Sequence, residues 1–268
     1  KLTVRLPNAL FSVLAIWGTY LLARRFFKDY RLGLLSALAI AISPWHFPLS
    51  RGAFEANLNV FFISFGIYFL LRSLERNKIK WQVLSGLFLG LNLFSYHSAK
   101  LVTPIIVFLI FIYHWLTKGK KIKNVVSDNF KFLVIFSFLG LIAFSSFFTG
   151  GQKRGMDIVV FNPTDNWQAV ADARWWMVQN KWPDPLARLF NNKISFSLSR
   201  LFDNYLTYLS PQFLFASGPG EATYGMMPGY GVVWWWQLLV LIFGLYYFIK
   251  SPSKKNGLLL LIILTGLN

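Results

Sequence analysis

Apolar residues in this chain fall in long unbroken blocks. Stretches free of formal charge run from Leu6 to Ala23, Leu32 to Ser50, Ala56 to Leu71, Trp81 to Ala99, Leu101 to Thr117, Phe132 to Gln152 and Ala222 to Ile249. Most approach the ~20 residues that a helix needs to cross a hydrocarbon core of ~30 Å. In lipid every backbone N–H and C=O must be paired within the protein, so such blocks form helices or closed barrels. Continuous apolarity is not the in–out alternation of a barrel strand. The pattern predicts an all-α fold, a polytopic transmembrane helical bundle.

Between about 150 and 230 the pattern changes. "FNPTDNWQAVADARWWMVQNKW" predicts a short helix, with Thr164 or Asp165 near its start and Pro183 closing it. Residues 186–209 place Leu186, Leu189, Phe190, Ile194, Leu198, Leu201, Phe202, Tyr205 and Leu209 at helical spacing, with Arg188, Lys193, Arg200 and Asp203 between them. Such an amphipathic helix lies along a membrane surface or docks on a bundle. "SPQFLFASGPGEATYGMMPGYG" reads as an irregular loop. Three segments follow: a bundle with short loops over 1–149, a long loop with the amphipathic helix over 150–230, and incomplete transmembrane helices over 231–268. The chain opens on "KLTVRLPNALF" and closes on "LLIILTGLN" inside an apolar run, so the expectation is a piece of a longer protein, truncated at both ends.

Composition agrees with the membrane reading, at 55% hydrophobic and 19% aromatic. The absence of cysteine removes disulfides, thiolate catalysis and cysteine–metal sites. A net charge of +17 would suggest nucleic acid in a soluble protein, but its placement argues otherwise. The basic residues concentrate in alternate loops: Arg24, Arg25, Lys28 and Arg31; Arg72, Arg76, Lys78 and Lys80; Lys118, Lys120, Lys121, Lys123 and Lys131; and Lys250, Lys254 and Lys255. Asp29, Glu75 and Asp128 are the acids among them. The positive-inside rule makes these loops cytoplasmic, and anionic headgroups account for the charge without nucleic acid. The other loops, 43–55, 95–100 and 150–230, then face outward. The setting expected is the plasma or inner membrane with its active face extracytoplasmic.

Charge at the outward mouths is scarce. Arg51 and Glu55 stand four apart and share one face if a helix starts near Ser50. They make either a local ion pair at a helix start or a polar cluster for a charged substrate or metal. Lys100 is the one formal charge between Lys80 and Lys118. It is either a snorkelling lysine or a phosphate site with His97 as a second donor. His46 in "SPWHF" belongs to the same level. Three histidines in separate loops make a weak metal case, and no nucleotide-binding or hydrolase motif is present.

"RLPNALFSVLAIWGTYLLARRFF", "SPWHFPLSRGAFEAN", "SYHSAKLV", "YLSPQFLFASG" and "PGYG" occur in that order. In these the chain resembles bacterial membrane glycosyltransferases related to dolichyl-phosphate-mannose–protein mannosyltransferases and to the aminoarabinose transferase of lipid A, which have the GT-C fold. The resemblance implies transfer of a sugar from a polyprenyl-phosphate carrier to a protein, lipid or glycan acceptor outside the membrane. It gives Glu55 the place of an acidic residue of the second outer loop, accompanied by Arg51, and sets Lys100 near a lysine that contacts the carrier phosphate. The family's main catalytic carboxylate would precede residue 1. A divalent metal, Mg or Mn, could bridge Glu55 and the phosphate; no organic cofactor is implied. Where relatives often carry a basic pair, this chain reads "EATYGMMPG", a departure at Tyr224 and its neighbours. The rival readings are a transporter or lipid flippase without chemistry and a non-catalytic subunit that binds lipid-linked sugar. A secondary transporter more often shows repeats or helices broken at mid-membrane.

Overall fold

A computed structural model describes residues 2–52, 54–119, 122–146, 163–218, 229–250, 253, 257–259 and 262. Lys120, Lys121, Tyr224, Lys254 and Lys255, singled out in the sequence, lie outside the described residues. The regular elements among the described residues are all helical. They are α1 (Leu2–Phe27), α2 (Tyr30–Ala41), α3 (His46–Arg51), α4 (Ala56–Arg76), α5 (Ile79–Ser95), α6 (Ala99–Lys118), α7 (Ile122–Asp128) and α8 (Phe130–Ser145), then α9 (Pro163–Gln179), α10 (Asp184–Phe190), α11 (Lys193–Leu209), a π-helical turn (Gln212–Ser217) and α12 (Trp235–Lys250). Helices α1, α4 and α6 hold apolar spans of 23, 21 and 20 residues, long enough to cross a membrane.

Two compact units divide the chain: residues 1–143 with 211–268, and residues 144–210. In the larger unit, α1 and α4 run parallel. Asn57 at the start of α4 bonds to Asn8 and Ser12 near the start of α1, and Arg25 near the end of α1 pairs with Glu75 near the end of α4. Helix α5 returns antiparallel to α4, with Phe88 among Phe61, Phe65 and Phe69. Gly66 makes that approach possible, since a Cβ there would lie 2.6 Å from the Leu89 side chain. The core gathers Ile67, Leu70, Leu89, Ile106, Val107, Ile110 and Phe132. Gln82 reaches Asn77 and the Asp128 carbonyl, and Ser73 reaches Asn129. Loops 28–29, 77–78 and the α7 region therefore share one end, the basic end. Loops 42–55 and 96–98 share the opposite mouth.

The apolar run 32–50 is not one membrane helix. It divides into α2, of 12 residues, and α3, of 6. At 1.5 Å per residue α2 spans about 18 Å, short of a bilayer core. Pro44 sets this break, because the residue before a proline is pushed out of the helical region.

In the smaller unit the predicted helix before Pro183 appears as Pro163–Gln179. The amphipathic stretch 186–209 is not continuous. Asn192 adopts extended backbone (φ −130°), and its carboxamide oxygen accepts from the N–H groups of Ile194 and Ser195, while Ser195 Oγ accepts from Asn192 N–H. That reciprocal cap starts a new helix, and it wins over continuing the old one. The apolar side chains Ile194, Leu198, Leu201 and Phe202 are exposed on α11.

Candidate active site

The mouth is organised by amides. Both N–H groups of the Asn8 carboxamide donate, one to the Leu49 carbonyl at 2.7 Å and one to the Gly52 carbonyl. These carbonyls, at and just beyond the C-terminal turn of α3, have no partner inside the helix. The Asn8 oxygen accepts from Asn57 Nδ2 at 2.8 Å, and Asn57 Nδ2 also reaches Ser12 Oγ at 2.6 Å. Asn57 is fully buried. The loop carrying Arg51 and Glu55 is thereby bolted to α1 and α4. The sequence reading passed over Asn8, Ser12 and Asn57. Their signal was the polar residue inside a membrane-length apolar run.

Arg51 and Glu55 do not share a helical face. Arg51 ends α3 and Glu55 is the residue that precedes α4, with Gly52 in extended backbone between them. No ion pair joins them among the described residues, and both are exposed. The Arg51 guanidinium instead lies 5.5 Å over the Phe47 ring. Phe47 in turn lines a groove of about 360 Å³ with Ile42, Pro44, Trp45, Tyr230 and Trp234. Arg51 therefore stands at the rim of an apolar groove.

Two segments far apart in sequence close that groove. Val233 N–H donates to the Leu214 carbonyl at 2.8 Å, and the Trp234 indole donates to the Ile42 carbonyl. The Phe215 ring stacks on Trp235. Gly231 packs so closely that a Cβ there would lie 2.4 Å from the Leu214 carbonyl oxygen, so the "PGYG" stretch needs glycine at its end.

His46 is 2% exposed. It bonds to the Ile40 backbone, and burial holds its pKa below the ordinary value. Its Nε2 has no partner among the described residues. His46 is thus a buried side chain, closed to solvent. His97 is exposed in the α5–α6 turn, and Lys100 is half-buried in the first turn of α6. Behind that turn Asn92 Nδ2 donates to Thr103 Oγ1 at 2.9 Å, and Ser95 bonds back to Asn92, all three buried.

The described residues bring no group of three His, Asp or Glu together. Magnesium takes about six oxygen ligands, so Glu55 by itself does not make a metal site.

The sequence model of the dolichyl-phosphate-mannose-protein mannosyltransferase family matches residues 1–147. No curated protein matches the chain. The matched region holds α1 to α8 with the amide-bolted loop and the α5–α6 turn, and the "YLSPQFLFASG" and "PGYG" motifs lie beyond it. On a match across more than half of its 268 residues, carried by an all-helical membrane fold, the chain belongs to the dolichyl-phosphate-mannose-protein mannosyltransferase family of membrane glycosyltransferases.

Proposed function

We propose that this protein moves a sugar from a polyprenyl-phosphate carrier to an acceptor at the mouth opposite the basic end, on the extracytoplasmic face of the plasma or inner membrane. The observation that carries this reading is a cation at the rim of an apolar groove: Arg51 over Phe47, with Trp45, Tyr230 and Trp234 lining the same space. A lipid phosphosugar has that division, an anionic head beside a hydrocarbon tail. In this reading the tail lies in the groove and Arg51 meets the phosphate. Lys100 and His97 approach the phosphate from the α5–α6 turn.

The acceptor oxygen attacks the anomeric carbon as the bond from that carbon to the phosphate oxygen breaks. The electron pair leaves with polyprenyl phosphate, and the acceptor proton passes to a carboxylate. Glu55 is the candidate base. Attack opposite the leaving group inverts the anomeric centre. Cations fixed at the phosphate stabilise the charge that develops there. A protein, lipid or glycan can supply the acceptor; a divalent metal, were Glu55 to help hold one, would supply further charge stabilisation at the phosphate.

The test is incubation of the whole protein, purified into lipid nanodiscs, with a panel of polyprenyl-phosphate sugars and acceptor extracts. Acceptor-dependent release of polyprenyl phosphate from at least one donor is expected. Binding of donor with no release by active, folded protein would overturn the transferase reading and leave a lipid-binding or transport protein.

A further inference from the structure

The end of the bundle away from the proposed site holds a second cleft, of about 440 Å³, lined by Leu21, Arg24, Arg25, Lys28, Tyr30, Tyr68 and Arg72. Four cations line it and no acid does. The nearby acids are already engaged: Glu75 pairs with Arg25, and Asp29 accepts from the Arg31 N–H at 2.7 Å. Glu75 answers one of these charges; repulsion among the other three in one concavity is unfavourable unless a further anion answers it.

The cations are also held in place before any ligand arrives. The Arg72 guanidinium carbon lies 5.3 Å from the Tyr68 ring and 5.1 Å from the Trp81 ring. Arg24 donates to the Tyr20 hydroxyl at 3.2 Å. Lys28 closes α1 in left-handed backbone (φ 58°), where glycine or asparagine is more usual. The Nε atoms of Arg25 and Arg72 are buried without a hydrogen-bond partner among the described residues. A phosphate group suits such a set, since guanidinium forks match its oxygens two at a time.

We propose that this cleft is a phosphate-binding site that takes a phosphomonoester or phosphodiester through Arg24, Arg25, Lys28 and Arg72. The ligand is the headgroup of an anionic phospholipid or a free phosphate compound; both present the same oxygens. Basic residues scattered along a loop meet headgroups one at a time, whereas these four converge on one cleft. The site lies away from the sugar-transfer reading and does not depend on it.

The experiment titrates the whole protein in phosphatidylcholine nanodiscs with two probes, phosphatidylglycerol in the bilayer and glycerol 1-phosphate in solution. Binding is followed by native mass spectrometry and by thermal shift. Saturable binding of a probe is expected. It should weaken at least tenfold in the triple variant Arg24→Gln/Lys28→Gln/Arg72→Gln. It should stay within twofold in Lys118→Gln/Lys123→Gln/Lys131→Gln, which removes the same charge from the same end outside the cleft. Binding of phosphatidylglycerol alone assigns the site to a lipid headgroup, and binding of glycerol 1-phosphate assigns it to free phosphate compounds as well. The double variant Arg24→Gln/Lys28→Gln alters two exposed side chains and should still cost at least threefold if the triple variant does not fold. No saturable binding of either probe, unchanged affinity in the double variant, or equal losses in the cleft and control triples would overturn the proposal.

Discussion

At the scale of the residue, the mouth depends on side chains that carry no charge. Asn57 holds Asn8, and Asn8 holds the carbonyls of Leu49 and Gly52. Asn57→Ala would leave the Asn8 oxygen buried without its donor, at a cost of about 1–3 kcal/mol. A lower Tm in detergent with the helical circular dichroism retained is the expected result; an unchanged Tm would show that the network contributes nothing. His46 gives a pH dependence. Its pKa is lowered by burial from 6.5, so the folded protein binds that proton less readily than the unfolded chain. The stability is fully present above pH 6.5 and is lost as pH falls through 6.5 toward the folded value. Tm should therefore be lower at pH 5.5 than at pH 7.5, and His46→Phe should flatten that slope. An identical slope in the variant would assign the effect to other groups. The charged residues Glu55, Arg51 and Lys100 were visible in the sequence because charge is rare in apolar runs. Asn8 and Asn57 stood out only as polar residues in apolar runs; their partnership was not legible, because it spans 49 positions and local spacing carries no trace of it.

At the scale of the element, helix existence was legible and helix breaks were not. The apolar blocks became helices because lipid leaves the backbone no other partner. The division of 32–50 at Pro44 and of 186–209 at Asn192 followed local chemistry that the apolar count ignored: a proline's steric restriction and a side-chain cap. Helix α11 remains amphipathic after the break, with Ile194, Leu198, Leu201 and Phe202 exposed. We expect this face to enter the membrane interface. A nitroxide at Leu198→Cys should be protected from a water-soluble relaxation agent in liposomes, and one at Arg200→Cys should remain accessible. Equal accessibility at the two positions would leave α11 in water.

At the scale of the whole molecule, the charge pattern and the helix packing give the same two-ended architecture. The first three basic loops meet at one end through Gln82, Asn129 and the Arg25–Glu75 pair, and by the alternation of the helices loops 42–55 and 96–98 lie at the other. We propose, on the positive-inside rule, that the basic end faces the cytoplasm. These 268 residues hold no cysteine, so in an otherwise cysteine-free background a single thiol introduced among them reports sidedness. His97→Cys should react with an impermeant maleimide added outside intact cells and Lys123→Cys should not; the opposite result would invert the orientation. The groove was only half legible. Its 41–48 wall carries the "SPWHF" motif, but its pairing with 230–234 came from contacts between segments nearly 190 positions apart. The account as a whole rests on Glu55 acting beside the bound lipid phosphosugar. The most direct measurement is turnover of the whole protein with its best polyprenyl-phosphate sugar, comparing wild type with Glu55→Gln. The account predicts a kcat at least about tenfold lower, or roughly 1.4 kcal/mol of barrier, with donor affinity retained; a Glu55→Gln protein that turns over at the wild-type rate would contradict it.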